Sequence, residues 1–472
     1  MKNVAKTSQS DRLRIGLLLS VADLYHRLWA DIDGDLERLG NQVANRFRIA
    51  GIEAYYSPAV STPEKVVAAC RDLRSQKVDL LVVALAPYCP SGVLASALAE
   101  SGLPLVLWPM QSILRLEPER YDAEAVKLNH GVHAVQDLAN VLGKMDTAFG
   151  VIHGHHEQPD FIEELKHWAR AGRILRSMQT AHPVQIGGHF ENMLDLEVGQ
   201  EEFIRRMGLR PEIVSTAEFA DLAEGAGPNE IAERVESYRR TFAVGPDVDS
   251  SLLEKTARGE IALRAILART KSTACGLNFL ELCNDERVAD GLHVAASILM
   301  SEGMGYAGEG DWVIAVLVRG MQHGFGVASF SEIFSIGYAD NRLLLKHWGE
   351  GNFAMARARP RLVASTFTDR CPAQFAIVDF EFEPGETMLV NLNSTPDGRG
   401  QLMSIRGRIT EDPLPNIDGP RGVFQPSCPD VRELLTEYAY AGGSHHMALI
   451  KDAPVQVLER VCRLAGWCYR GL

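Results

Sequence analysis

The sequence predicts an α/β protein with two doubly wound parallel-sheet domains, followed by a mostly antiparallel, barrel-like β domain. Three observations support this fold class. Nearly continuous apolar runs alternate with helical stretches in the first third of the chain, and a second such alternation begins near Gly172. After about residue 325, apolar and polar residues alternate with the period of strands. We expect domains at 1–174, 175–325 and 326–472.

The first domain begins with the apolar run RIGLLLS (Arg14 to Ser20). We interpret this run as a strand rather than a signal peptide, because no small-residue cleavage site follows it. Later apolar runs, separated by amphipathic helical stretches, predict further strands: Asp79 to Leu85, Leu103 to Pro109 and Ala148 to Ile152. Such runs indicate a parallel sheet covered on both faces, which binds ligands at the carboxyl ends of its strands.

The last domain is predicted to be mostly β. FAIVDFEF (Phe375 to Phe382), the turn at Pro384-Gly385 and ETMLVNL together predict an alternating hairpin. QLMSIRGRI predicts another strand, and helices are expected near Pro429 to Tyr440 and Val455 to Leu464.

Composition limits the classes of partner and compartment. The 472 residues are 46% hydrophobic and 23% charged, as in an ordinary globular protein of two or three domains. A net charge of −13 argues against nucleic acid or an anionic membrane as partner, and no apolar stretch reaches the length of a membrane span. Eight scattered cysteines without a CxxC pair predict a reduced, cytoplasmic protein.

Four segments carry side chains that could meet at one metal ion. Glu309 lies between two glycines in AGEGDW, Glu332 in ASFSEIF, His347 in LLLKHWGE, and His445 and His446 in GGSHHM. Two carboxylates and two imidazoles form a mixed oxygen and nitrogen set that suits manganese, cobalt, iron or zinc better than calcium. Because neighbouring side chains diverge on a regular element, we expect only one of the adjacent histidines to be a ligand.

Each of these residues also has an ordinary structural interpretation. A glutamate after glycine commonly starts a helix, and His347 would serve equally as a half-buried histidine with a hydrogen-bond partner. The cluster HGHH (His153 to His156) has the highest local density of imidazoles, but its place in a polar loop after a strand favours a solvated turn. Residue spacing alone therefore leaves a metal site undecided.

The motifs GYAGEGDW, SFSE and AGGSHHM, in this order and spacing, resemble the signatures of the L-arabinose isomerase family, which is related more distantly to L-fucose isomerases. The similarity is dispersed along most of the chain. Further segments that resemble the family are STPEKVVAACRD, LNHGVHAVQDL, ENM and NFLEL.

The resemblance implies hexamers whose active sites use neighbouring subunits, and a divalent metal, usually manganese. It implies conversion of an aldose into a ketose through an enediol, in which a metal stabilises charge and carboxylates move protons. The implied metal ligands are Glu309, Glu332, His347 and His446, and the first two match the family's proton-transfer pair. Expected substrate contacts are His133, Gln111, Asn192 and His445.

Departures from the family pattern cluster where substrate would be recognised. Where the arabinose enzymes carry glutamine and histidine, this chain has Ala22 and Asp23. Their segment His-Thr-Phe-Ser-Pro is replaced by Ala86 to Pro90. Their Asp-Tyr pair, which follows the glutamate equivalent to Glu332, is replaced by Ile333-Phe334. Losing polar groups alters specificity more than reaction type. We therefore expect a sugar other than L-arabinose, such as a deoxy sugar or an acid-bearing one like sulfoquinovose. A sugar-binding protein without turnover, and a metal-dependent aldolase or epimerase, are the alternatives.

Overall fold

The computed structural model describes residues 12–119, 121–285, 287–288, 292–366, 374–451 and 453–472. The chain divides into two compact units. The first contains the residues up to Arg176 together with Val455–Trp467, and the second contains Ser177–Pro454 and Cys468–Leu472. The two α/β domains and the β-rich domain are present, while the boundaries near 174 and 325 stay a prediction.

The first unit is built on a five-stranded parallel sheet in the order β2-β1-β3-β4-β5. The strands are β1 (Arg14–Ser20), β2 (Glu53–Val60), β3 (Leu80–Ala84), β4 (Leu105–Trp108) and β5 (Gly150–Val151). The helices are α1 (Asp23–Leu28), α2 (Ile32–Ile49), α3 (Pro63–Ser75), α4 (Ser91–Ala99), α5 (Ala123–Val126), α6 (Val132–Lys144) and α7 (Pro159–Gln179). All residues of β3 and β4 are buried, which confirms the interpretation of the continuous apolar runs.

The second unit starts with a four-stranded parallel sheet in the order β10-β9-β6-β7. The strands of this part are β6 (Val184–Ile186), β7 (Glu212–Val214), β8 (Ala243–Val244), β9 (Ala274–Leu277) and β10 (Gly305–Gly308). The helices are α8 (Gln200–Met207), α9 (Thr216–Glu224), α10 (Pro228–Thr241), α11 (Ser250–Thr270), α12 (Phe279–Cys283), α13 (His293–Ser301) and α14 (Trp312–Phe325). The short β8 joins the β-rich part by pairing with its edge.

The β-rich part closes into a barrel of six strands, because the ring β16-β15-β18-β11-β12-β17 is completed by pairing of β17 with β16. The strands are β11 (Ala328–Gly337), β12 (Arg342–Lys346), β13 (Arg361–Ser365), β14 (Phe375–Glu381), β15 (Gly385–Ser394), β16 (Gly400–Ile409), β17 (Pro420–Pro426), β18 (His446–Lys451) and β19 (Cys468–Gly471). The helices are α15 (Val431–Tyr440) and α16 (Val455–Ala465). Closure leaves no free edge in the ring, and buried Leu345, Met403 and Phe424 belong to its core.

One strand prediction is wrong. The segments that we expected to form a hairpin, β14 and β15, are both strands, but they do not pair within the described residues. β14 instead pairs with β13 and β17, while β15 forms the long hairpin with β16 over ten residue pairs. Alternation identified each strand correctly, but it carries no information about which strand lies beside it.

Two other expectations also need correction. His155 and His156 are buried at 7% and 2% exposure, so the HGHH segment is not the solvated turn that its composition predicts. Cys283 is disulfide-bonded, which departs from a wholly reduced chain. The other cysteines that the structure describes form no disulfide. Within the described part of the chain, no helix has the length and apolarity to cross a membrane.

Candidate metal centre

Glu309 occupies the turn between β10 and α14, in a left-handed backbone conformation with φ of +60°. The flanking glycines permit close approaches. A Cβ on Gly308 would lie 2.9 Å from His347 Cε1, and a Cβ on Gly310, whose φ is +78°, would lie 2.2 Å from the carbonyl oxygen of Gly188. The turn thus packs its Gly308 against His347 and brings the largely buried Glu309 carboxylate to His445 and His446.

The barrel supplies the other predicted ligands through strand register. β11 lies between β18 and β12, so Glu332 is directly opposite His446 on one side and Lys346 on the other. His347 follows Lys346 at the end of β12. One glutamate and two histidines, far apart in sequence, therefore meet at one end of the barrel because of pairing alone.

Phe330 separates the two imidazoles from the rest of the barrel core. Its ring centroid lies 4.6 Å from that of His347 and 4.8 Å from that of His446, both in edge-on arrangements. Phe330 is 1% exposed and also packs edge-on against Tyr306. This apolar wall keeps water from one side of the centre and strengthens the electrostatic interactions there.

Each of the adjacent histidines has a carboxylate behind it. His445 Nδ1 donates to Asp195 Oδ2 at 2.7 Å, and His446 Nδ1 donates to Asp311 Oδ2 at 3.0 Å. Their other nitrogens turn toward one atom, because each Nε2 lies 3.2 Å from Glu309 Oε2. A carboxylate on one ring nitrogen orients a histidine so that the other nitrogen faces a metal.

His347 follows the same pattern with Glu350. Its Nδ1 lies 2.9 Å from Glu350 Oε1, a charge contact whose angle departs from that of a hydrogen bond. Glu350 is fully buried and also accepts from the Tyr306 hydroxyl at 2.8 Å, while His293 Nδ1 lies 3.0 Å from its other oxygen. The N–H of Gly349 also donates to Glu350 Oε2 at 2.8 Å, so four polar groups surround the anion and hold it in place behind His347.

These contacts shift the titration of the centre. Burial alone would raise the pKa of Glu309, but the hydrogen bond from His445 and the charges of His446 and His347 hold that pKa far below its usual value. Burial alone would lower the pKa of His445, yet the hydrogen bonds to Asp195 and Glu309 raise it to about 10. For His347, the charge of Glu350 outweighs burial and raises the pKa to about 9.

The residues fit a divalent cation. His446 Nε2 is fully buried and makes no hydrogen bond, although Glu309 Oε2 is only 3.2 Å away. An unpaired buried nitrogen between carboxylates costs free energy unless something binds it. The ligand atoms lie within 4.8 Å of one another in two groups: Glu309 with His445 and His446, and Glu332 with His347 and His446. All four predicted ligands therefore belong to one cluster, and so does His445.

The remaining predicted contacts are more dispersed. Asn192 is exposed in a loop with φ of +66°, two residues after Phe190, whose N–H donates to Glu309 O. His133 and Gln111 belong to the first unit, near the carboxyl ends of its strands. The exposed His133 ring stacks on Tyr88 with centroids 4.8 Å apart, and Gln111 Nε2 donates to a backbone carbonyl. Their roles toward substrate stay predictions.

Three carboxylates of the centre were missed from the sequence. Asp311 lies in the same motif as Glu309, and Glu350 lies three residues after His347, so both had a local signal. Asp195 is 250 residues from His445 and had none. Phe330, at the start of the SFSE segment, has the appearance of an ordinary core residue.

Fold and site together define a protein of two parallel α/β sheets and a β-barrel, with a cation-binding arrangement of histidines and carboxylates between sheet and barrel. Two family models match it: the L-arabinose isomerase central domain over residues 188–324 and the L-arabinose isomerase C-terminal domain over residues 327–467. The chain belongs to the L-arabinose isomerase family, whose members are aldose–ketose isomerases and hence intramolecular oxidoreductases.

Individual relatives have low sequence identity to this chain, but the similarity covers most of both sequences. The L-arabinose isomerase of Acidothermus cellulolyticus is 23% identical over 456 residues, covering 93% of this chain and 90% of that protein. Those of a Nocardioides species and of Thermotoga petrophila are each 25% identical and cover 80% of this chain and 77% of their own. A solved ABC transporter solute binding protein from Burkholderia multivorans is similar at 12% identity and a TM-score of 0.18, over 66% of this chain and 93% of that one. That likeness is too slight to carry an argument.

Proposed function

We propose that this protein is a metal-dependent aldose–ketose isomerase that works through an enediol, on a sugar other than L-arabinose. The observation that carries this proposal is the convergence of Glu309, Glu332, His347 and His446, with a carboxylate behind each of the two imidazoles. We assign these four residues as the metal ligands and manganese as the ion. A binding protein without turnover has no need for paired carboxylates beside a cation.

A divalent cation in this cluster would supply charge stabilisation at the carbonyl and hydroxyl oxygens of the sugar. Proton movement between neighbouring carbons falls to the two glutamates. Glu309 Oε2 lies 3.2 Å from Nε2 of both His445 and His446, so its negative charge is already stabilised by these imidazoles and the carboxylate is a weaker base. Glu332 has no side-chain hydrogen bond among the described residues and is partly exposed. We therefore assign Glu332 as the base for the carbon-bound proton and Glu309 to the hydroxyl proton.

Phe334 is the replaced position best placed to alter substrate choice. Ala22 and Ala86 are buried at 6% and 0% exposure, whereas the Phe334 side chain is 44% exposed. A cation lies beside it, since Lys346 Nζ is 5.3 Å from the Phe334 ring centroid and 5.1 Å from that of Trp348. An exposed apolar ring next to an ammonium supports a sugar that lacks a hydroxyl or bears an acid group, such as sulfoquinovose.

The test is an assay of purified protein with Mn²⁺ against a panel of pentoses, hexoses, deoxy sugars and sulfonated or carboxylated sugars, with products separated by chromatography. We expect a ketose product, no activity with a chelator, and loss of most turnover in Glu309→Gln and Glu332→Gln. Cleaved or epimerised products would instead indicate an aldolase or epimerase, and binding without product would indicate a sugar-binding protein. If L-arabinose is the best substrate, the specificity proposal is wrong.

Within an acid-bearing substrate class, Lys346→Met should selectively impair turnover. Loss of one charged hydrogen bond weakens binding by about 1.5–3 kcal/mol, or roughly 10- to 100-fold in kcat/KM for the acidic sugar. Neutral sugars should change much less. Equal losses for both classes would mean that Lys346 acts only through the fold, since its Nζ also donates to the carbonyl oxygen of His347 at 3.0 Å.

The family resemblance also supports a cytoplasmic homohexamer with active sites shared between neighbouring subunits. It supports a small-molecule sugar as the partner, rather than nucleic acid or membrane. These assignments are proposals for this chain.

A further inference from the structure

The two sets of ligand atoms in the centre share a single imidazole. We call Glu332, His347 and His446 the inner triad, and Glu309, His445 and His446 the outer triad. The names follow exposure, since the side chain of His347 is 4% exposed and that of His445 is 36% exposed. Each triad offers two imidazole nitrogens and one carboxylate, which is a common ligand set for a catalytic divalent metal with open positions.

His445 reaches the centre despite being adjacent to His446. The two ring centroids are only 4.0 Å apart, because His446 begins β18 while His445 still belongs to the preceding loop. Asn391 contacts the residues on both sides of His445: its Nδ2 donates to the side-chain hydroxyl of Ser444 at 2.7 Å and to the carbonyl oxygen of His446 at 2.8 Å. Both histidines therefore face the cluster, and the expectation that only one of them is a metal ligand stays a prediction.

The arrangement around His445 matches that around the other two histidines. Its Nδ1 is bound by Asp195 at 2.7 Å, which leaves Nε2 to face Glu309 at 3.2 Å. A histidine with one nitrogen on a carboxylate and the other directed at an acidic side chain has the orientation that proteins give to metal ligands.

One nitrogen cannot bind two ions, and this limits how the triads can be used. His446 Nδ1 is occupied by Asp311, so only Nε2 is available to both triads. Two ions therefore cannot occupy the two triads at the same time, because both would need this one nitrogen atom. We propose that a divalent cation held by the four assigned ligands has a second, overlapping position on the outer triad, where His445 takes the place of Glu332 and His347. This proposal rests on the proposed metal centre and adds His445 to its ligands.

The test is binding of Co²⁺ alone to the full-length protein, followed by calorimetry and by the visible absorption of the bound ion. The wild type should bind one Co²⁺ per chain. His347→Ala and His445→Ala should each retain one bound ion with a changed spectrum, because one triad survives in each variant. The double variant and His446→Ala should bind at least roughly 100-fold more weakly than either single variant, since they leave neither triad intact.

Surface histidines could also bind Co²⁺, so a control is needed. His153→Ala changes an exposed histidine of the first unit and should leave the Co²⁺ affinity and the absorption spectrum unchanged. Far-ultraviolet circular dichroism and thermal melts establish that each variant is folded. If the cavity left by removing the His347 ring unfolds the protein, His347→Asn replaces His347→Ala. If His347→Ala binds Co²⁺ no better than the double variant, or if the wild type binds two ions per chain, the two-position proposal is overturned. If the folded wild type binds no Co²⁺, the metal centre itself fails as well.

Discussion

Asp311 serves two purposes at one position. Its Oδ1 accepts from the N–H of Ile314 and caps α14, while its Oδ2 accepts from His446 Nδ1. The side chain is 4% exposed, so neither contact is replaced readily by water. The start of a helix and the orientation of His446, a proposed metal ligand, therefore depend on the same carboxylate.

These two purposes can be separated by substitution. Asp311→Asn keeps an oxygen for the cap, so the free energy of unfolding should change little, but the weaker partner for His446 should lower Mn²⁺ affinity by about 10- to 100-fold. Asp311→Ala should lose the cap as well, at a cost of about 0.5–2 kcal/mol of stability. Calorimetric titration and urea denaturation measure the two effects. Equal stability losses in both variants would show that the cap is not carried by the side-chain oxygen.

A pH effect on stability is expected from a residue outside the centre. Burial lowers the pKa of His156 from 6.5 to about 4, so the unfolded chain binds a proton below pH 6.5 that the folded chain takes up only near pH 4. The free energy of unfolding should therefore fall as pH drops through this window. His156→Phe preserves ring stacking with His155 and should flatten the dependence, measured by urea denaturation at several pH values. His153→Phe, at an exposed neighbour, should not.

At the scale of elements, the turn between β10 and α14 can be tested through its glycines. Gly310→Ala puts a Cβ 2.2 Å from a backbone oxygen and also strains a positive φ, whereas Gly208→Ala strains a positive φ of +67° with open space around it. The second change should cost about 1–2 kcal/mol of stability. The first should cost more and should also weaken Mn²⁺ binding, because Glu309 must shift. Urea denaturation and calorimetry of both variants measure this. Similar results for both would mean that the close approach to Gly188 is not tight.

Sequence patterns located the strands better than they predicted which strands lie next to each other in the sheets. The apolar runs located β1, β3 and β4, and alternation located β14 and β15, because burial on one or both faces sets those periods. The hairpin error arose because pairing depends on the whole barrel, where β14 lies beside β13 and β17. The metal centre shows the same limit: the glycines singled out Glu309, but its role as a ligand came from the family resemblance, and the Asp195–His445 contact joins positions with no pattern between them.

At the scale of the whole molecule, we predict a hexamer whose sites take His133 from a neighbouring subunit. Light scattering should give a mass six times the 51.9 kDa of one chain. His133→Ala and Glu309→Gln should each be poorly active alone. When the two are unfolded together and refolded as mixed hexamers, about a quarter of the sites would combine both intact residues, so activity should return. No recovery in verified mixed hexamers would show that the two residues act within one chain.

The path of the chain between the two compact units has a consequence for its evolution. The chain passes from one unit to the other after Arg176, again after Pro454 and a third time after Trp467. The helix α16 is held in the first unit by Arg460, which pairs with Glu164 and lies 5.3 Å from the Trp168 ring centroid, whereas β19 pairs with β16 in the second. Neither unit is a continuous stretch that recombination could excise and graft whole. A break after Arg176 would remove α16 from the first unit, and a break after Trp467 would remove β19 from the second. A break after Pro454 would leave both units incomplete, so no single junction separates the two units whole.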